Sequence, residues 1–266
     1  MLSCQAVDHC TLTPVDPKIF KAKKGTDPDE PAIIDALSSI HYEQWIRAMT
    51  EEITNLVKWR TWDVIQKSEL PEVSKIIPGI WAFKCKRFPD GIFQELKAWF
   101  CVREDIQKRL PDVPMNTYDP VVQWYTVMLM LVLTYIMVLK NQVPDFSNDF
   151  SQAKLNQPVY LQPPAKYSYA SWGENPILQL NKSIYGQAEA PRLWYDKLKE
   201  GLDKCGFKPS KVDPCMLISN TVICVQYVND YIWFYRDQKQ LDKVIQLFQD
   251  NGDNYNWEMS VDVTVT

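Results

Sequence analysis

Imidazole is nearly missing from this chain, which has two histidines, His9 and His41, and its seven cysteines (Cys4, Cys10, Cys85, Cys101, Cys205, Cys215 and Cys224) include no Cys-x-x-Cys pair. Zinc-ligand spacing is therefore absent, and the thiols are expected to be free, as in a reducing compartment. Long apolar runs are missing too. The longest, residues 127–139, has 13 residues and contains Thr134. That is short of the roughly 18 or more that span a bilayer, so a buried helix is expected there. No basic stretch followed by an apolar run opens the sequence, so no secretory signal is expected. Positive charge is not in excess either: 29 Lys and Arg stand against 33 Asp and Glu, for a net charge of −4. This balance counts against a dedicated nucleic-acid binder, whose phosphate contacts come largely from Lys and Arg, unless basic residues are concentrated along one groove.

What is present suits a globular chain. With 46% hydrophobic and 23% charged residues over 266 positions, one sizeable core or two smaller ones can be buried. Residues 1–26 carry scattered lysines, Pro14 and Pro17 and no usable period, and read as a flexible leader taken to extend to residue 44. From Tyr42 onward, Trp45, Ala48, Met49, Glu52, Ile53, Leu56 and Val57 recur largely at three- and four-residue spacing, which predicts an amphipathic helix. Residues 61–65 follow as a short strand. Two β-rich runs, 80–88 and 92–102, meet at Asp90-Gly91, among the strongest short hairpin signals. Further on, Pro191 near the start and Gly206 just past the end bracket a helix with Trp194, Leu198, Leu202 and Cys205 on its apolar stripe. Gly206 is expected at positive φ. Leu241, Val244, Ile245 and Phe248 mark another helix, and residues 257–266 alternate as a strand does.

Two stretches carry candidate chemistry. In Gln226-Tyr227-Val228-Asn229-Asp230-Tyr231, a β-branched run before and an aromatic run after predict two strands that turn at Asn229-Asp230, with a carboxylate at the tip. Such a tip becomes a metal site only if other carboxylates converge on it, because two divalent ions about 4 Å apart need bridging anionic oxygens. The candidate partner is Asp145, in Val143-Pro144-Asp145-Phe146-Ser147-Asn148-Asp149-Phe150. Pro144 cannot donate to a sheet ladder, which makes a central strand awkward there. Alone, each stretch reads as a turn or a loop. Between them stand Tyr160-Leu161-Gln162-Pro163-Pro164 and the run from Lys182 to Tyr195, which contains Tyr185-Gly186-Gln187-Ala188-Glu189-Ala190-Pro191.

Taken in order, these stretches resemble the reverse transcriptase of copia-type LTR retrotransposons, from about Trp45 onward. The family's tip reads Tyr-Val-Asp-Asp where this chain has Tyr227-Val228-Asn229-Asp230, and its other metal-binding Asp lies in a segment matched from Asp145 to Phe150. The resemblance implies an α+β fold: a palm, an antiparallel sheet backed by helices, over 112–152 and 190–266, interleaved with fingers over 45–111 and 153–189, and no thumb. It implies RNA-templated DNA synthesis from a DNA primer and deoxynucleoside triphosphates. Asp145 and Asp230 would hold magnesium at a two-metal site whose third carboxylate is replaced by Asn229.

Lys97-Ala98-Trp99 stands where the family's Lys-Ala-Arg holds the triphosphate, so Lys97 is the implied phosphate contact and Trp99 a substituted one. Asp149 replaces an Ala beside that pocket. Phe150 matches the aromatic that excludes a ribose 2′-hydroxyl, and Gly186 keeps a close backbone approach. Ala188 and Glu189 stand where the family often has Lys and Gln. Family members continue into a thumb and an RNase H domain and act in the cytoplasm or in a virus-like particle, so a fragment with no membrane partner is expected. The expected state is a copy with weak magnesium binding and impaired or absent activity. Two other readings stand beside it: a non-catalytic remnant, and an RNA-binding module, which fares worst because the Lys/Arg-Gly-aromatic strand signature is absent.

Overall fold

The amphipathic period that opens at Tyr42 forms α2 (Tyr42–Lys58), which buries Trp45, Ala48, Met49, Ile53 and Leu56 along one face. That face lies on a hairpin of β3 (Gly79–Arg87) and β4 (Phe93–Val102), turned at Gly91 with φ 82°. Trp45 meets Phe83 edge to face at 5.1 Å, and Ala98 completes the contact. A short helix, α1 (Ile33–Ser38), adds Ala36 to the same core, and the Asp29 carbonyl accepts the Cys85 N–H. Residues 27–44 are thus not leader but part of the packed unit, tied down by backbone bonds and a buried alanine rather than by an apolar period. The computed structural model describes residues 27–72, 74–107, 117–146, 149–167, 172–228, 230–250 and 259–261, so the leader 1–26 lies outside the described residues.

Beside the hairpin, β1 (Trp62–Gln66), β2 (Ile76–Ile77), β7 (Lys154–Leu161) and β8 (Pro176–Lys182) form a sheet in the order β1-β8-β7-β2. Its core gathers Ile53, Leu56, Phe100, Val102, Leu161, Leu178, Leu180 and Ile184. A helical turn, α3 (Glu104–Gln107), leaves the end of β4.

A second sheet is antiparallel throughout, in the order β5-β12-β11-β10-β9: β5 (Lys140–Gln142), β9 (Lys208–Pro209), β10 (Met216–Ile218), β11 (Val222–Tyr227) and β12 (Asp230–Tyr235). Strand alternation divides its side chains. Val222, Cys224, Tyr231, Trp233 and Tyr235 face α5 (Ala190–Lys204) and α6 (Gln238–Asp250), meeting Trp194, Leu198, Leu202, Leu241, Val244 and Phe248. Val225 and Phe234 face the other way, onto Met130 of α4 (Trp124–Met137). At the end of α5, Gly206 takes φ 85°, as expected. Its N–H reaches the Asp203 carbonyl at 2.9 Å and the Phe207 N–H reaches Leu202 at 3.0 Å, the two bonds of a Schellman cap.

The expectation of a buried helix over 127–139 is wrong. Within α4 only Thr126 and Met130 are buried, while Trp124, Tyr135 and Ile136 are 74%, 88% and 67% exposed. The helix rests one narrow stripe on the sheet, and an apolar run without a period cannot tell one covered side from two. Its start is fixed from a distance: buried Asp213 accepts the Gln123 N–H at 2.9 Å and the Thr126 hydroxyl at 2.6 Å. The described part of the C-terminal alternating run is β13 (Met259–Val261). It pairs with β6 (Pro144–Phe146), Asp145 opposite Ser260.

Candidate active site

The β11–β12 hairpin is the natural starting point, because its register decides where a carboxylate can sit. Tyr227 pairs with Asp230, so Asp230 begins β12 rather than sitting in the turn. The expected turn at Asn229-Asp230 is therefore displaced by one residue. The cause is burial: Tyr231, Trp233 and Tyr235 must share the face of α5, and a slip of one residue would turn all of them to the other side. The displacement puts Val228 at φ 52°, left-handed and costly for a β-branched residue. Three contacts hold it there. The Val228 carbonyl accepts from the Tyr231 hydroxyl at 3.0 Å and the Gln226 amide at 3.2 Å, and the Trp194 indole N–H donates to the Tyr231 hydroxyl. Burial, more than the nearby Asp149, pushes the Tyr231 phenol well above its ordinary range, so it stays a neutral donor. Asp230 is exposed, and Val121 bridges Tyr227 on the loop's flank.

Pro144 acts as its chemistry requires. β5 pairs with β12 as far as Gln142, and from Pro144 the chain leaves that ladder for β13 while still running beside β12. Asp145 is the middle residue of β6, and Phe146 packs on Trp194 at 5.7 Å and Tyr231 at 5.0 Å. Asn229 and the side chain of Asp145 lie outside the described residues. Among the described residues, no group of three or more His, Cys, Asp or Glu side chains is placed to hold a metal ion.

The residues expected around a nucleotide do meet in part. Trp99 on β4 tilts against Tyr185 at 6.3 Å, and Tyr185 meets Phe150 edge to face at 4.9 Å, so three aromatic rings stand in a row. Phe150 opens a 3₁₀ turn, Phe150–Gln152, whose first carbonyl accepts the Ser183 hydroxyl at 2.5 Å. Gly186, at φ 79°, makes its close approach to protein backbone: a Cβ there would lie 2.3 Å from the Val102 carbonyl oxygen. The Val102 N–H also bonds the Tyr185 carbonyl at 2.9 Å, which seats the aromatic row on the end of β4. Lys97 is engaged by Glu95 at 3.2 Å. Asp149 is 5% exposed, so its charge acts on the interior, raising the Tyr231 phenol, rather than at an open surface.

Two titratable groups here were not singled out in the sequence as site candidates. Glu52 accepts the Phe100 N–H at 3.2 Å from behind β4, and burial pushes its carboxyl up to about 7 against the pull of that bond and of Lys97. Its signal was a carboxylate at an apolar-period position of α2. Asp119 lies two residues before the Val121 bridge, and burial lifts it to about 6 against the opposing pull of Arg192. The described cysteines are all free, as expected, and burial pushes the thiols of Cys215 and Cys224 up to about 12. No helix among the described residues is long and apolar enough to cross a membrane.

Comparison with known proteins bears on this arrangement. A family model described as reverse transcriptase (RNA-dependent DNA polymerase) matches residues 59–253. The retrovirus-related Pol polyprotein from transposon TNT 1-94 of Nicotiana tabacum is 27% identical over 225 residues, 82% of this chain and 17% of the relative. The transposon Ty1-ER2 Gag-Pol polyprotein of Saccharomyces cerevisiae is 29% identical over 211 residues, 76% of this chain and 11% of the relative. The chain thus spans less than a fifth of the length of these relatives. With the match running through the aromatic row and both strands of the hairpin, the chain belongs to the reverse transcriptase family, with copia-type retrotransposon Pol polyproteins as its relatives.

Proposed function

We propose that this chain is the RNA-directed DNA polymerase domain of a copia-type retrotransposon polyprotein, in a copy whose catalysis is impaired. On this reading the antiparallel sheet with α4, α5 and α6 is the palm, and the other sheet with the β3–β4 hairpin and α2 is the fingers. The observation that carries it is the clamped β11–β12 hairpin, which presents exposed Asp230 at the start of β12 with β6 alongside. The partners would be an RNA template, a DNA primer and deoxynucleoside triphosphates, in the cytoplasm or a particle, with thumb and RNase H supplied by the parent polyprotein.

Magnesium takes hard oxygen ligands, often from one or two carboxylates. Asp145 and Asp230 are the residues that would hold it, with the Asn229 amide a neutral third donor. Such a set fits one weakly held ion better than a bridged pair. When bound, it would neutralise charge developing on the transferred phosphoryl group. The chain's own residues would do the rest. Lys97 would offer a point charge to the triphosphate, while Phe150 and Tyr185 would wall the sugar. Trp99 packs on Tyr185 and has no guanidinium for bidentate phosphate binding. That packing favours the second reading, a remnant that folds without catalysing.

The test is primer extension on an RNA template with a labelled DNA primer, in magnesium and then in manganese. No extension by the unmodified chain is the expected result. Incorporation that Asp145→Asn abolishes would overturn the impairment.

A further inference from the structure

We propose that the turn Asp27-Pro28-Asp29-Glu30 is an ionic latch on the distal half of the β3–β4 hairpin, closed by its carboxylates on Lys84 and Arg87 and opened when those charges are screened. The latch does not rest on the polymerase reading. Its carboxylates lie outside residues 59–253, which the family model matches, and its cations lie inside them.

The turn is built by its own sequence. The Glu30 N–H closes it on the Asp27 carbonyl at 3.0 Å, and Pro28 stands at the second position, where its fixed φ suits a tight turn. The Asp27 carboxylate accepts the Asp29 N–H at 2.9 Å, which presets the backbone. From there α1 anchors the turn, with Ala36 in the core that holds Trp45 and Phe83. The Asp29 carbonyl meets β3 by accepting the Cys85 N–H at 2.7 Å. Beyond that point the hairpin has little else to hold it. Among the described residues its core contacts end at Phe83 and Leu96, residues 87–94 are exposed, and the ladder shifts register between Lys86 and Arg87. Such a shift bends a strand and interrupts its pairing. The tip stays a unit of its own, because the Phe88 N–H reaches the Ile92 carbonyl at 2.9 Å and the Arg87 guanidinium the Gly91 carbonyl at 3.3 Å.

Across this joint the charges are matched. The Asp29 carboxylate accepts from Arg87 Nε at 2.9 Å and Nη2 at 2.9 Å, a two-pronged contact, and Glu30 takes Lys84 at 3.1 Å. Hydrogen bonding from Arg87 holds the Asp29 carboxyl below its ordinary range, against a slight opposing effect of burial, so the contact stays charged. Lys84 also stands directly opposite Lys97, a like-charged pair that weakens a sheet. Glu30 offsets the charge of Lys84, and Glu95 that of Lys97 at 3.2 Å. Opening the latch would return that repulsion to the strand that carries Lys97. The four latch side chains are between 32% and 54% exposed, so salt reaches them as it does not reach a buried pair. Meanwhile Phe88, Ile92 and Phe93 at the tip remain exposed. A permanent tie would bury those apolar groups, whereas the turn meets the hairpin through charge.

Hydrogen–deuterium exchange of the full chain, read by mass spectrometry, tests the latch on peptides from 84–93, with 96–102 as the reference. Raising salt from about 0.1 to about 1 M cuts the screening length from about 10 to about 3 Å. In the unmodified chain this should speed exchange over 84–93 by about two- to fivefold, the range that a surface ion pair supports, and leave 96–102 unchanged. The double variant Asp29→Asn, Glu30→Gln should exchange that fast at low salt and respond no further to salt. Glu43→Gln, Glu51→Gln, at exposed positions of α2, changes the net charge as much and should keep the salt response. A salt response retained by the Asp29, Glu30 variant would overturn the latch. So would no response over 84–93 in the unmodified chain, equal acceleration over 96–102, or loss of the response in the α2 variant.

Discussion

Glu52 shows what a single half-buried group can do to this fold. Its carboxyl keeps its proton to about 7 in the folded chain against a usual 4.5, chiefly because burial penalises the charge. Between those values the folded state binds the extra proton, so stability falls as pH rises through the window and the whole penalty is present above it. Glu52→Gln keeps an acceptor for the Phe100 N–H and removes the charge. It should raise stability by up to about 3 kcal/mol above about pH 8 and change little near pH 5. Thermal melts across that range decide, and a pH-independent difference would mean that the carboxyl is not buried in solution. The two glycines argued above separate in the same way. Gly206 has φ 85° and open space around it, so Gly206→Ala should cost about 1 kcal/mol. At Gly186 the added Cβ would strike the Val102 carbonyl, and a loss above about 3 kcal/mol is expected by the same melts.

Among the elements, those with a strong period were readable in advance. The stripe of α2, the Asp90-Gly91 hairpin and the stop of α5 at Gly206 all follow from local pattern, and the structure has them. What failed was whatever depended on a neighbour. The tip of the second hairpin moved by one residue because the core registers β12, and turn chemistry at Asn229-Asp230 is worth less than three buried aromatics. Residues 127–139 gave no period, so the sequence carried no sign of which side α4 would cover. The cap from Asp213, 90 residues away from Gln123, has no local signal at all. The placement of α4 gives a sharp contrast: Met130→Ala, in the seam with Val225 and Phe234, should cost about 2–5 kcal/mol. Ile136→Lys on the outer side should stay within about 0.5 kcal/mol in the same denaturant titration. Equal losses would show that the outer side is covered in solution.

For the molecule as a whole, the candidate site was legible as an order of motifs and not as a geometry. Asp145, Asp230, Phe150 and Gly186 are named by their matches. That Gly186 serves the Val102 backbone, and that Trp99 leans on Tyr185, came only with the fold. This changes what a repair must do. On the proposed reading, Asn229→Asp returns a metal ligand that is worth several kcal/mol of transition-state stabilisation, and each 1.4 kcal/mol or so is tenfold in rate. Yet Trp99 still gives the triphosphate no fork of donors, and its ring must leave Tyr185 before a substitute can reach a phosphate. Both defects act on one bound nucleotide, so their effects should not add. Asn229→Asp alone is therefore expected to give no detectable primer extension, and Trp99→Arg alone none. The pair should do better than either, because the carboxylate and the guanidinium stabilise the same developing charge from two sides. Extension by Asn229→Asp alone, at the level of the pair, would show that the triphosphate is held without a residue at position 99 and that the hairpin tip is the sole lesion.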